Sequence, residues 1–333
     1  GRAAGGRRRR TGARRRPPAA DPAGGRGRGA GAAAGAAQRR QLRPQLERHQ
    51  LLGAGARPRR GGALRRPAGT AAPGAGPGNL ALPRLLRDDE PAEPAADGAR
   101  PAAAAAPWHR FPRGAFAGNF LHGLLEWLAG EGFALAGSPA LQQALRRRCE
   151  RQGWGQRADE VGDWLARVAT TPLPPRGRPL ADLPTARPEM EFWLPLARLD
   201  AARVDALCRQ HLLPGQARAP LAERTLHGLL MGFADLVFEL DGRHGVIDHK
   251  SNALGERDAD YTPEAMAAAV LQHRYDVQAA LYLLALQRLL KSRLGARYDA
   301  ARHLHGATFL FLRGIAGPAA GCLHLAPPPA LLD

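Results

Sequence analysis

Residues 232–252 read GFADLVFELDGRHGVIDHKSN, and the Asp241-Gly242 pair at their centre constrains this chain more than any other feature. An Asp-Gly pair between two apolar-rich runs is the strongest short-range signal for a two-residue hairpin turn. With those two residues in the turn, Leu240 faces Arg243 and, counting outwards, Asp235 faces Asp248. Directly opposed residues of an antiparallel pair send their side chains to one face, with Cβ atoms roughly 4.5 to 5.5 Å apart. Residues two apart on a strand share a face, so Lys250 joins the two aspartates. The opposite face is expected to collect Ala234, Leu236, Phe238 and Leu240 with Gly245 and Ile247, the side on which such a hairpin packs on a core.

Two carboxylates about 4 Å apart repel by roughly 4 kcal/mol at an intermediate effective dielectric, so opposing them requires a proton or a cation between them. Lys250 is one such cation. A hard divalent metal is the better candidate, because Mg²⁺ is held by one or two carboxylates and completes its shell with waters and substrate phosphates. Of 48 basic residues only Lys250 and Lys291 are lysine, mild support for a specific role at position 250.

Around the hairpin the pattern predicts alternating helices and strands. Residues 118–130 have helical spacing, with Asn119 as N-cap and with His122 and Glu126 one turn apart on a single stripe. Helices are expected at 141–152 and 158–170. A strand is expected at 189–200, interrupted at Pro195, then a helix over 200–213. Thr262 and Pro263 form a helix start, and one long helix is predicted over 265–294, ending at Gly295. Gln278 and Tyr282 lie one turn apart on it. The run GATFLFLRG reads as an apolar strand pairing inside the sheet.

The hairpin, with thirteen residues from Asp to Asp and then IDHKSN, is joined in order by FPRGAFAGNFLHGLLE and EMEFWLPL before it and by YTPEAMAAAVLQHRYDVQAALYLLAL and FLFLRG after it. Together these blocks, from about residue 111 to 314, resemble the C-terminal nuclease domain of RecB-type subunits of exonuclease V. That domain belongs to the PD-(D/E)xK, restriction-endonuclease-like superfamily. The resemblance implies an α/β fold with a central mixed sheet flanked by helices, and a Mg²⁺-dependent hydrolysis of DNA in double-strand-break repair and recombination. It makes Asp235, Asp248 and Lys250 catalytic and gives the metal to His122, Asp235 and Asp248. Glu126 would then orient the His122 ring. An acidic residue is expected at the site's edge, Glu191 or alternatively Glu189. Gln278 and Tyr282 match a QxxxY motif aimed at the site, contacting bound strand or supporting Lys250. His249 stands where the family often has Tyr; alternation sends its side chain to the opposite face, so it is not counted as a ligand, although its backbone carbonyl is a further one by analogy. The implied partners are DNA, a RecB-type helicase, RecC-like and RecD-like subunits, and a recombinase. A competing expectation is a catalytically silent module that docks on a RecC-like subunit or helps to load the recombinase.

Composition changes near residue 110. Residues 1–110 hold 23 arginines and 7 acidic residues, which leaves 25 basic and 23 acidic residues for 111–333. Rich in Gly, Ala, Pro and Arg, the first segment is expected to be a disordered tail, with 111–333 as the nuclease domain. Such a basic arm could also hold nucleic acid by counterion release. The first Met is Met190 and no GxxxxGK[ST] phosphate loop occurs, so a fragment lacking the helicase domains is expected. Cys149, Cys208 and Cys322 are scattered, which argues against a disulfide framework, a zinc site or the four-cysteine iron-sulfur cluster of some relatives. Without a long apolar run or a signal segment, the default expectation is cytoplasmic with no membrane contact.

Overall fold

Asp241 and Gly242 take φ values of 52° and 78°, the two positive angles of a type I′ turn. The hairpin closes in the expected register, with Leu240 opposite Arg243 and Leu236 opposite Ile247. The computed structural model describes residues 79–81, 106–223 and 225–332. Most of the expected tail therefore lies outside the described residues.

The described chain starts with a short strand, β1 (Asn79–Ala81), which the sequence reading does not anticipate. It continues through α1 (Ala115–Gly130), α2 (Pro139–Arg151) and α3 (Ala158–Thr170). Then come β2 (Thr185–Asp200), α4 (Ala201–His211), β3 (Thr225–Leu240) and β4 (Arg243–Lys250). After them follow α5 (Pro263–Gln272), α6 (Tyr275–Leu294), α7 (Ala300–His303), β5 (Leu304–Phe311), β6 (Cys322–Leu325) and α8 (Pro329–Leu332). The strands form a 6-stranded mixed sheet in which β3 pairs with β1, β2 and β4, and β5 lies between β4 and β6. Pairing is parallel for β1/β3 and β4/β5 and antiparallel elsewhere.

Each face of the sheet is covered by its own apolar cluster. Phe192, Leu194, Val237, Val246 and Phe309 pack with α5 and α6, while Leu236, Phe238, Leu240, Ile247 and Leu310 pack with α1 and α3. Trp108 and His109 are also buried, and Trp108 Nε1 donates to Asp258 Oδ1 at 3.2 Å. Folded chain thus begins upstream of Phe111.

Four expectations are corrected. Helix α1 starts after Gly114, whose φ is 95°, so Asn119 lies inside the helix and is not its N-cap. Strand β2 runs through both Pro188 and Pro195: among the described residues it pairs only with β3, and an edge strand tolerates proline. Ala234 packs in the α5–α6 cluster and not with Leu236. The single helix over 265–294 is broken into α5 and α6 at Arg274, which takes a left-handed φ of 58°.

No glycine or proline marks that break; buried charge does. Arg274 Nε donates to Asp276 Oδ1 at 3.1 Å, its Nη1 bonds the Ala219 carbonyl, and its Nη2 reaches Asp205. Arg218 Nη1 meets the same Asp276 at 2.7 Å and its Nη2 caps carbonyls at the end of α4. Asp276 is fully buried between the two guanidinium groups. Asp276→Ala leaves both cations without their shared carboxylate and is expected to cost about 3 to 5 kcal/mol, measured by urea unfolding. A cost under about 1 kcal/mol would reduce the network to the level of a surface ion pair.

Candidate metal centre and active site

The sheet forks at the two aspartates. β3 pairs with β4 over Leu236 to Leu240 only, whereas β4 continues along β5, with Asp248 opposite Phe309 and Lys250 opposite Phe311. Hydrogen-bonded and non-bonded pairs alternate in an antiparallel ladder, so the rung after Leu236/Ile247 would join His249 to Ala234. Instead the His249 N–H donates to Asp235 Oδ2 at 2.8 Å. The alternation of β3 slips at the same point: Ala234 faces the α6 side and Leu236 the α1 side. On β2, Glu189 lies between the partners of Ala234 and Leu236 with a φ of 47°. The two carboxylates therefore enter the fork from opposite faces, not side by side on one face as expected from the turn alone.

On the α1 side, His122 Nδ1 lies 3.3 Å from Asp235 Oδ2. His249, on the same side, brings its Nδ1 to 3.5 Å from that oxygen, and the two imidazoles meet edge-on with centroids 6.0 Å apart. His249 does leave the face of Asp248 and Lys250, but the face it enters is the one that Asp235 and His122 occupy. Its Nε2 is buried without a hydrogen-bond partner. Among the described residues, His122, Asp235 and His249 form the group whose ligand atoms lie within 4.8 Å of one another. The expectation that His249 stays clear of the site is thus corrected. Glu126 is exposed, and the carboxylate that meets the His122 ring is Asp235.

On the α6 side a closed polar ring surrounds Asp248. Lys250 Nζ forms an ion pair with Asp248 Oδ2 at 2.8 Å. It donates to Gln278 Oε1 at 3.1 Å. Gln278 Nε2 donates to the Tyr282 hydroxyl at 2.7 Å, which donates to Asp248 Oδ1 at 3.2 Å. All four residues are buried. Gln278 and Tyr282 thus support Asp248 and Lys250 from one face of α6. Tyr275, which sequence reasoning missed, lays its ring 3.4 Å from Lys250 Nζ. Its signal was available, since it stands three residues before Gln278 and so on the same helical face. Glu191 is exposed and its Oε1 accepts from Trp193 Nε1 at 2.8 Å. The residue across from Asp235 is Glu189.

These surroundings bias the two carboxyls in opposite directions. Burial opposes charge on Asp235, but the His122 ring and the bonds from His122 and His249 outweigh it and hold the carboxyl well below its usual range. Burial pushes Asp248 up, and Asp235 adds to the push while Lys250 resists it. Burial also disfavours a proton on His122, yet Asp235 and, less strongly, Asp248 lift the ring above the ordinary imidazole value. Two imidazoles and the Asp235 carboxylate, with the Asp248 carboxylate on the other lip of the fork, offer nitrogen and oxygen donors of the kind that hold a divalent cation.

The PD-(D/E)XK nuclease superfamily matches residues 102–314. The chain is 41% identical over 211 residues to RecBCD enzyme subunit RecB of Escherichia coli (strain K12), covering 62% of this chain and 17% of that protein. It is 36% identical over 180 residues to the subunit of the same name from Haemophilus influenzae, covering 52% and 14%. For that of Mycobacterium tuberculosis (strain ATCC 25618 / H37Rv) the identity is 32% over 265 residues, covering 68% and 24%. The chain spans under a quarter of the length of these curated relatives.

The shifts give a pH dependence for the metal-free protein. The raised His122 value contributes stability below the ordinary imidazole pKa, which is lost as pH rises through the raised one. The depressed Asp235 value contributes above the ordinary carboxylate range, and that is lost as pH falls through the depressed one. The ion pair stabilises the window between. A divalent ion bound through His122 would displace its proton, so metal uptake is expected to release a proton and to weaken as pH drops through the His122 value. Calorimetric titration with Mn²⁺ in two buffers of different ionisation enthalpy measures the release. The same release from His122→Gln would remove His122 from the site.

Proposed function

The chain belongs to the PD-(D/E)XK nuclease superfamily, and from that premise we propose that residues 106–332 form a Mg²⁺-dependent deoxyribonuclease domain that works with a helicase in double-strand-break repair and recombination. The observation that carries this reading is the fork in the sheet, where an imidazole–carboxylate pair on one face and the Asp248–Lys250–Gln278–Tyr282 ring on the other converge.

His122, Asp235 and Asp248 would hold the metal, and His249 would brace Asp235 through its N–H and add a softer donor. The bound ion supplies a water of lowered pKa and positive charge against the phosphoryl oxygens. Lys250 contributes a compact ammonium at the same place, orienting the attacking water or stabilising the pentavalent transition state. The ring around it keeps that ammonium aimed: Gln278 holds one N–H, Asp248 neutralises part of the charge, and the Tyr275 face excludes water from one side. Tyr282 in turn fixes the Asp248 carboxylate through Oδ1, leaving Oδ2 beside Lys250.

Since the matched relatives are named as RecB subunits of the RecBCD enzyme, the partners we propose are a RecB-type helicase, RecC-like and RecD-like subunits and a recombinase, with unwound DNA as substrate. Among the described residues no helix is long and apolar enough to cross a membrane. The alternative is a silent module that only docks on a RecC-like subunit. The buried ring favours catalysis, because docking alone gives no reason to bury a lysine beside a carboxylate at substantial desolvation cost.

The chain, incubated with labelled single-stranded DNA and Mg²⁺, is expected to cleave it and to stop on addition of EDTA. Asp248→Ala and Lys250→Met should each lower the rate by about 100-fold or more. Cleavage by Asp248→Ala at the parent rate would contradict the assignment, and no cleavage by the parent would favour the silent module.

A further inference from the structure

Between the fork and the far end of β3, the α1-side face of the sheet exposes Trp193, Leu229 and Phe233 among the described residues. Glu191 opposes Phe233, Trp193 opposes Met231 and Pro195 opposes Leu229, so these six side chains share one face. The intervening residues Phe192, Leu194 and Leu230 are buried on the other face against the α5–α6 cluster. On the α1-side face Trp193 is 41% exposed and Phe233 36% exposed. A strand pair that is apolar on both faces normally has both covered, and along this stretch the described helices bury only the α6-side residues.

The slip at Asp235 makes this stripe continuous with the candidate active site. Ala234 faces α6, so Phe233 and Asp235 both face the α1 side, two residues apart on one strand. Trp193 lies diagonally across from Phe233, at a Cα separation of roughly 7 to 8 Å for such neighbours. The indole is pinned by its hydrogen bond to Glu191 Oε1. That carboxylate also repels phosphate, so a strand crossing the stripe would turn its bases, not its backbone, toward the rings. Stacking on aromatic faces is tolerant of base identity and suits extended single strands.

Resting on the nuclease reading above, we infer that Trp193 and Phe233 form a stacking platform for the bases of single-stranded nucleic acid, which leads the strand along β3 to Asp235. The platform would supply grip without sequence preference. Phe233 sits on β3, the strand that carries Asp235, and Trp193 on its antiparallel partner β2, so the path of the bound strand and the proposed cleavage point share one paired scaffold.

The test is fluorescence anisotropy with the 333-residue chain in EDTA, comparing a dye-labelled oligothymidylate with an abasic strand of equal length. Electrostatic binding, including that of the Arg-rich segment, is common to both strands; base stacking acts on one. The parent should prefer the oligothymidylate, Trp193→Ala should weaken that binding about tenfold while leaving the abasic strand as before, and Trp193→Phe should retain most of the preference. Equal loss for both strands, or no loss for either, would overturn the platform and leave the stripe as the seat of a protein chain. Because no cleavage is required, a chain that discriminates bases but never hydrolyses DNA refutes the nuclease reading alone. A chain that hydrolyses DNA without discrimination refutes the platform alone.

Discussion

The His249 N–H gives its hydrogen bond to the Asp235 carboxylate where the next backbone carbonyl of β3 would otherwise accept it. That exchange ends the β3–β4 ladder while β4 remains attached to β5, and the sheet divides around the gap. Everything chemically distinctive about the molecule is arranged around that division. His122 reaches it from α1, and Gln278, Tyr282 and Tyr275 reach it from α6. Asp235 and Asp248 stand on its two lips. A continuous sheet would have buried both aspartates in regular pairing with no room for substrate or metal.

The surroundings bias the two carboxyls in opposite directions, and paired titratable groups driven apart in this way are a mark of acid-base and metal sites. Asp235 is kept ionised by the His122 and His249 contacts, while burial and Asp235 itself raise Asp248 against the pull of Lys250. A divalent cation would relieve both the repulsion and the burial cost. Neighbouring packing sustains this balance. The ion pairs of Asp276 with Arg218 and Arg274 lie in the first turn of α6, and Gln278 lies only two residues further on. Buried charge beside the site thereby anchors the end of the helix that presents the QxxxY pair to Asp248 and Lys250.

How far the sequence could be read depends on how local each cause is. The turn at Asp241 and Gly242 and the register it imposes were legible, because φ preferences belong to the two residues themselves. Gln278 and Tyr282 were legible as a pair because helical spacing alone puts them on one face. The cap at Thr262 followed from a side chain that bonds its own helix. The slip at Asp235 was not legible: strict alternation put Asp235 beside Asp248, and the departure arises from β2, through the left-handed Glu189, together with the loss of β4 as a partner. The same non-local cause hid His249, whose side of the strand was read correctly but whose neighbours on that side come from α1. The break at Arg274 carries no glycine or proline and is imposed by carboxylates from elsewhere in the fold. β1 and β6 are too short to show a period.

We propose that both lips of the sheet share one divalent ion in the fork. Anomalous diffraction from crystals grown with Mn²⁺ locates such an ion. One strong peak is expected in the fork, coordinated by His122 and by oxygens of both Asp235 and Asp248. A fork without metal at saturating Mn²⁺, or a peak bound elsewhere with the His122–Asp235 and Asp248–Lys250 contacts unchanged, would contradict it.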